Sequence, residues 1–139
     1  MLARRRKSNR RGVAAVEFAM TSGILFTFLL GALEFTRAFM MLHSADNAAY
    51  EGARRGIVPG ATSQKVKDEA LTVMKTMGAK EVNVIVNPST ITNSTKEVEV
   101  RIEVPMNKNS LVAPFLFKDR VISSEMTMLR EDFDQTSVP

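Results

Sequence analysis

The chain has 139 residues, enough for one modest domain beside a membrane helix, and it contains no Cys, which excludes disulfide bonds, thiol catalysis and cysteine metal sites. The formal net charge is +4 at pH 7, but six of the 19 basic residues lie within the first 12 positions, where no acidic residue occurs. The other 13 basic residues are outnumbered by 15 acidic ones, so the composition argues against a basic nucleic-acid-binding surface on the folded part.

An uncharged apolar segment, Phe18 to Leu33, follows the basic N-terminus. As a helix it would cover roughly 24 Å, somewhat less than the hydrocarbon thickness of a bilayer. Glu17 and Glu34 border it and are expected to reach outward at the two ends, while Val13 to Val16 lengthen the span. By the positive-inside rule, the sequence predicts a single-pass protein with a cytoplasmic N-terminus and a C-terminal head on the other side of the membrane.

Glu17 is unusual because it places a carboxylate in the fifth position after Gly12, inside an apolar run. A charge within a bilayer costs about 2.5–3.5 kcal/mol and is therefore usually paired or functional, although a residue reaching toward lipid head groups is the simpler alternative. A short basic leader ending in Gly12, followed by Glu17 and Phe18, resembles the processing site of type IV pilin-like proteins. The resemblance implies that prepilin peptidase cuts between Gly12 and Val13. The ammonium created on Val13 could then pair with Glu17 of a neighbouring subunit.

Polarity rises from Glu34 to Gly56 without any Pro before Pro59, so the helix is predicted to continue outward as an amphipathic stem of roughly 30 Å. Small residues that would let another backbone approach closely recur on this stem. The five that we single out are Ala45, Ala48, Ala49, Gly52 and Ala53. The pattern is equally compatible with packing on the chain's own head and with packing on helices of neighbouring subunits.

Two acid–base pairs have a spacing of three residues on the stem, Glu34 with Arg37 and Glu51 with Arg54. This spacing predicts an ion pair on one helix face in each case. Exposed pairs of this kind contribute only about 0–1 kcal/mol, so a purely structural role is sufficient to explain them.

Three segments of the stem, Glu34 to Arg37, Asn47 to Ala49 and Glu51 to Arg54, follow the Gly12 site in order. Together they resemble the signature of TadE-like proteins, the pseudopilins of bacterial tight-adherence (Flp) pilus systems. The resemblance implies a minor pilin-like subunit that is inserted in the inner membrane and added to, or priming, a pilus. Its implied partners are prepilin peptidase, other pilins or pseudopilins, the inner-membrane assembly platform and the lipid bilayer.

The remaining elements indicate an α+β head. Helical periodicity predicts a second short helix from Thr62 to Met77, with Gly78 ending it. The period then changes to two, which predicts strands at Val82 to Val86, Val98 to Val104 and Arg120 to Leu129. These strands are expected to form a small antiparallel sheet of about three strands, packed against the two helices in a type IV pilin-like fold. The apolar loop Leu111 to Phe117 is expected to cover one end of the sheet.

The predicted organisation is a leader at 1–12, a transmembrane helix and stem at 13–56, a head at 57–131 and a mobile acidic tail at 132–139. No catalytic residues, metal ligands, cofactor or nucleic-acid contact are expected, and the acidic residues Glu97, Glu99 and Glu103 fit a solvated sheet face. Two alternatives to the pilin-like subunit remain. One is a bitopic envelope scaffold that keeps its leader and never enters a filament. The other is a secreted protein cut after Ala38, which is disfavoured because Glu34 and Arg37 would immediately precede the cut.

Overall fold

The structure is a computed structural model that describes residues 10–112 and 116–130. Most of the predicted leader and the whole of the predicted acidic tail therefore lie outside the described residues. Within the described part, one long helix is followed by a short helix and a three-stranded antiparallel sheet. This confirms the predicted α+β class.

Helix α1 spans Arg10–Gly56 without interruption, and its 47 residues extend over about 70 Å. No Pro occurs within it, and Arg54 and Arg55 lie in its last turn, where cations interact favourably with the helix dipole. The predicted continuity of span and stem is confirmed. Helix α1 is long and apolar enough to cross a membrane, judged by length and composition.

Helix α2 spans Ser63–Thr76. Thr62 is its N-cap, and the Thr62 hydroxyl accepts a hydrogen bond from the Lys65 N–H at 3.3 Å. The buried side of α2 consists of Val66, Ala70 and Met74, three or four residues apart, as the periodicity predicts.

The sheet consists of β1 (Asn83–Asn87), β2 (Glu97–Pro105) and β3 (Val121–Leu129), in that order. Both pairs of strands are antiparallel. The alternation along β2 buries one face completely, and it turns the glutamates outward, as predicted. The fully buried β2 side chains are Val98, Val100, Ile102 and Val104.

A one-turn helix that the sequence did not predict, α3 (Met106–Asn109), begins directly after β2. Four residues are too few to produce a helical hydrophobic period, which explains why no pattern indicated it. Met106 and Asn109 are both buried, so this turn belongs to the folded head.

Helices α1 and α2 pack side by side on one face of the sheet, α1 over β2 and β3 and α2 against β1. The resulting core is a single cluster at the interface of the two layers. Because α1 supplies mainly small residues to this cluster, the helix axis lies close to the sheet. The stem residues Ala45, Ala48, Ala49, Gly52 and Ala53 are all buried here, against the chain's own head.

Gly56 ends α1 as predicted, and close packing also requires a glycine there. A Cβ at this position would lie 2.7 Å from Val98 Cγ1, and Val98 is a stiff, fully buried β-branched residue. Replacing Gly56 with Ala is therefore expected to lower the free energy of unfolding by about 1–3 kcal/mol. Denaturant unfolding of the full chain in detergent would measure this.

The matched control is Gly31→Ala in the same helix, where a Cβ would meet nothing within 4 Å. That variant is expected to be neutral or more stable by up to about 1 kcal/mol, because Ala favours helix over Gly. Equal effects of the two substitutions would contradict the proposed packing of Gly56.

Candidate processing and assembly site

The N-terminal part of α1 projects from the head with its apolar side chains uncovered. Phe18 and Phe28 are each 75% exposed, and the other large apolar residues between Val13 and Leu33 are exposed as well. So large an apolar surface requires a cover, which a bilayer or neighbouring helices would provide.

The hydroxyl groups within this segment bind the backbone of the same helix. Thr21 Oγ1 donates to the Glu17 carbonyl at 2.8 Å, Ser22 Oγ donates to the Ala19 carbonyl at 3.0 Å, and Thr27 Oγ1 donates to the Gly23 carbonyl at 2.9 Å. Because these hydroxyl donors are satisfied inside the helix, they can enter an apolar phase without the full cost of desolvation.

The predicted processing residues Gly12 and Val13 lie on the exposed surface of α1, one turn before Glu17 and Phe18. All four residues are exposed. Within the described ranges, the Glu17 carboxylate makes no hydrogen bond or ion pair, in contrast to the neighbouring hydroxyl groups. A partner for this carboxylate in an apolar phase would therefore have to come from outside the described part of the chain.

Glu34 lies at the other end of the uncharged segment and is fully buried. Ser110 Oγ donates to its Oε2 at 2.7 Å, and the Val112 N–H donates to its Oε1. The loop between β2 and β3 thus folds over the Glu34 carboxylate. The prediction that Glu34 reaches outward from the span is wrong, because this loop provides donors that satisfy the carboxylate inside the protein.

Arg37 also binds the head. Its Nε donates to the Asn109 carbonyl at 3.2 Å, its Nη1 to the Met77 carbonyl at 3.2 Å and its Nη2 to the Gly78 carbonyl at 3.5 Å. Among the ion pairs of the described residues, none joins Glu34 to Arg37. The predicted pairing is therefore corrected: the segment 109–112 of the head binds both side chains, the carbonyls after α2 bind Arg37 as well, and these contacts take the place of a local i,i+3 ion pair.

Asn109 accepts a hydrogen bond from Arg37 and directly precedes Ser110, which binds Glu34. No sequence pattern indicated this residue. Its Oδ1 accepts from the Lys80 N–H at 2.8 Å, and its Nδ2 donates to the carbonyls of Lys80 and Pro105 at 2.9 and 2.8 Å. Asn109 therefore joins α3 to the segment after α2, while its own carbonyl binds Arg37. It lies in the one-turn helix α3, which is too short to show a hydrophobic period, so no sequence signal marked it.

Removing the Glu34 carboxylate is expected to release the loop. Glu34→Ala leaves the Val112 N–H and the Ser110 hydroxyl without their acceptor, and we expect the free energy of unfolding to fall by about 1.5–3 kcal/mol. Hydrogen exchange at residues 110–112, measured on the full chain in detergent, should accelerate in parallel.

Glu51→Ala is the control in the same helix. The predicted pair of Glu51 with Arg54 is present, with 3.5 Å between Oε2 and Nη1, but it lies near the surface. Its loss is expected to cost less than about 1 kcal/mol and to leave exchange in the loop unchanged. Equal losses from both substitutions would contradict the role assigned to Glu34.

Two further polar contacts of the head were not predicted. Ser124 Oγ donates to Asp46 Oδ1 at 2.6 Å, which ties β3 to the stem. On the outer sheet face, Arg101 binds Glu125 across the strands at 2.6 Å and Glu99 at 3.5 Å. The hydrogen bond and the charge of Glu125 raise the pKa of Arg101 above its ordinary value. The predicted solvated acidic face is thus a cross-strand network.

Comparison with known families shows what the N-terminal helix is similar to. The family model described as TadE-like protein matches residues 12–54, which are α1 without its first two and last two residues. The match contains every predicted site residue, from Gly12 to Arg54, and it confirms the resemblance drawn from the motifs. No curated protein and no solved structure matches the chain.

Proposed function

We propose that the chain is a minor pilin-like subunit cut by prepilin peptidase after Gly12. The proposal is supported by the TadE-like match at residues 12–54, which indicates involvement in the tight-adherence pilus system. The mature chain starts at Val13, spans the inner membrane through α1 and carries its head on the periplasmic side. Its role is structural rather than enzymatic. Its partners are other pilins or pseudopilins and the inner-membrane assembly platform.

The observation that carries this proposal is the contrast between Glu17 and Glu34. Both carboxylates border the same uncharged segment, yet Glu34 is buried and hydrogen-bonded by the head while Glu17 is exposed on an apolar helix. A charge exposed to lipid is costly, so a partner is expected. Cutting after Gly12 creates an ammonium on Val13, and a staggered neighbouring helix can present this ammonium to Glu17.

The alternative function is a bitopic scaffold of the same secretion machine. It is favoured by the burial of the small-residue stripe, Ala45 to Ala53, against the chain's own head. That stripe therefore gives no support to packing between subunits, which leaves the exposed helix before Glu34 as the surface for assembly.

The experiment that separates the two functions is quantitative mass spectrometry of sheared pili and of the membrane fraction from the same cells. A subunit should be found in both fractions with Val13 as its first residue. A scaffold should be confined to the membrane fraction. Detection of an abundant inner-membrane protein in the same samples would measure carry-over of that membrane into the pilus preparation.

A further inference from the structure

One end of the head lies beside the C-terminal end of the apolar segment of α1. The loop that binds Glu34 and the carbonyls of Met77 and Gly78 that bind Arg37 all meet α1 within one turn after Leu33. The last uncharged residue of the span therefore lies directly beside the head. If the segment before Glu34 is in lipid, this end of the head lies at the bilayer surface.

Exposed apolar side chains occupy this end. Leu111 is 63% exposed, Val112 46% and Leu116 47%. Phe35, on α1, is also exposed, and its ring meets that of Phe117 edge to face with 5.5 Å between centroids. The contact between Phe35 and Phe117 thus connects the apolar surface of the span to apolar residues of the head.

The loop presents these residues because its polar groups face the other way. Ser110 Oγ and the Val112 N–H are both occupied by the buried Glu34 carboxylate. With its donors turned toward α1, this part of the loop directs the apolar side chains of Leu111 and Val112 outward.

Basic residues surround the same end. Lys80, Lys118 and Arg120 are exposed there, and the acid Glu81 is already paired with Lys108 at 3.4 Å. In the described part of the loop between β2 and β3, the acidic residue is Asp119. The outer sheet face differs, because Arg101 is surrounded there by Glu99, Glu103 and Glu125. Apolar residues flanked by cations are typical of protein segments that bind the surface of an anionic membrane.

We propose that the head rests on the bilayer, with Leu111, Val112 and Leu116 in the boundary between head groups and acyl chains. Lys80, Lys118 and Arg120 then contact anionic head groups. The occupant of this surface is the lipid of the membrane that α1 crosses, and the inference rests on the proposed function only in requiring that crossing. The head is thereby held at a fixed height and orientation above the membrane, rather than swinging freely on the stem.

Single cysteines can report this arrangement, because the natural sequence contains none. The full chain would be reconstituted as one molecule per nanodisc of phosphatidylcholine and phosphatidylglycerol, with an environment-sensitive fluorophore at Leu111→Cys, Leu129→Cys or Leu25→Cys. Leu129 is the matched control, since it is an exposed leucine at the opposite end of the sheet, roughly 26 Å from the start of β3. Lipids that carry a nitroxide just below the head group would be the quencher for the labels at Leu111 and Leu129, and lipids with the nitroxide near the end of the acyl chain would be the quencher for the label at Leu25, which lies midway along the span.

We expect the label at Leu111 to be quenched at least twofold more strongly than the label at Leu129, and to emit at shorter wavelength. Replacing Lys80 and Lys118 with Glu should reduce this quenching, and so should nanodiscs of phosphatidylcholine alone. Equal quenching at Leu111 and Leu129 would overturn the inference. So would a Leu111 label that is shielded from aqueous iodide without being quenched by lipid, since protein would then cover it.

The label at Leu25 separates this inference from the proposed function. If the label at Leu25 is quenched and the label at Leu111 is not, α1 crosses the bilayer but the head does not contact its surface, so only the present inference is wrong. If Leu25 is not quenched, α1 does not cross the bilayer, and both conclusions fall.

Discussion

Gly12→Leu is expected to leave the leader attached and to abolish the contribution of the protein to pili. The peptide bond after Gly12 lies on an exposed and otherwise regular part of α1, and the absence of a side chain allows a peptidase to approach the backbone closely. Without the cut, the nitrogen of Val13 stays an uncharged amide, so the proposed partner of Glu17 never forms. Intact-mass analysis of the membrane-extracted protein, together with counts of pili per cell, would measure both effects.

Gly23→Leu is the control for a bulky side chain in the same helix. A Cβ at Gly23 would meet nothing within 4 Å, so this variant should be cut normally and should accumulate to the ordinary level. If Gly12→Leu remains uncut while piliation is unchanged, the chain acts as a scaffold and the pilin-like role is wrong.

Glu17→Ala is expected to separate cutting from assembly. The peptide bond after Gly12 is unchanged, so the leader should still be removed, but the ammonium on Val13 loses its carboxylate in a neighbouring subunit. Truncating one member of a buried, hydrogen-bonded charge pair costs about 2–5 kcal/mol, which is at least tenfold in an association constant. The amount of the mature protein in sheared pili, relative to the membrane fraction, should fall by at least this factor.

Glu17→Asp and Glu51→Gln provide the controls for this variant. Aspartate keeps the charge on a shorter side chain and should restore part of the assembly. Glu51 lies on the same helix, but its pair with Arg54 is at the protein surface, so neutralising it should leave assembly intact. An assembly defect equally large in Glu51→Gln would show that loss of a carboxylate elsewhere on α1 has the same effect, and it would contradict the specific role of Glu17.

The elements of this fold could be predicted because each has its own local period. The buried and exposed residues of β2 alternate strictly, α2 begins at a Thr that caps it, and α1 has no Pro before Pro59. These signals depend on neighbours in sequence, and the structure confirms them. The predicted processing site rests on the same kind of local pattern, a Gly followed by a Glu in an apolar run, and it stays a prediction.

The partners of Glu34 and Arg37 could not be predicted, because they depend on contacts between distant residues. Ser110 is 76 positions from Glu34, and Asn109 is 72 positions from Arg37. An i,i+3 spacing allows an ion pair, but it cannot exclude a better hydrogen-bonding partner from elsewhere in the fold. The small-residue stripe was ambiguous for the same reason, and it was resolved by the side chain of Val100, which lies 3.2 Å from the Cβ position of Gly52.

The central claim is that cutting after Gly12 creates the positive charge that Glu17 requires. Its most direct test is mass-spectrometric identification of the N-terminal residue of the native protein, purified from cells that carry normal pili. The account predicts that this residue is Val13 in all of the pilus-associated protein. A chain that still begins at Met1, with its arginine-rich leader intact in fully piliated cells, would contradict it.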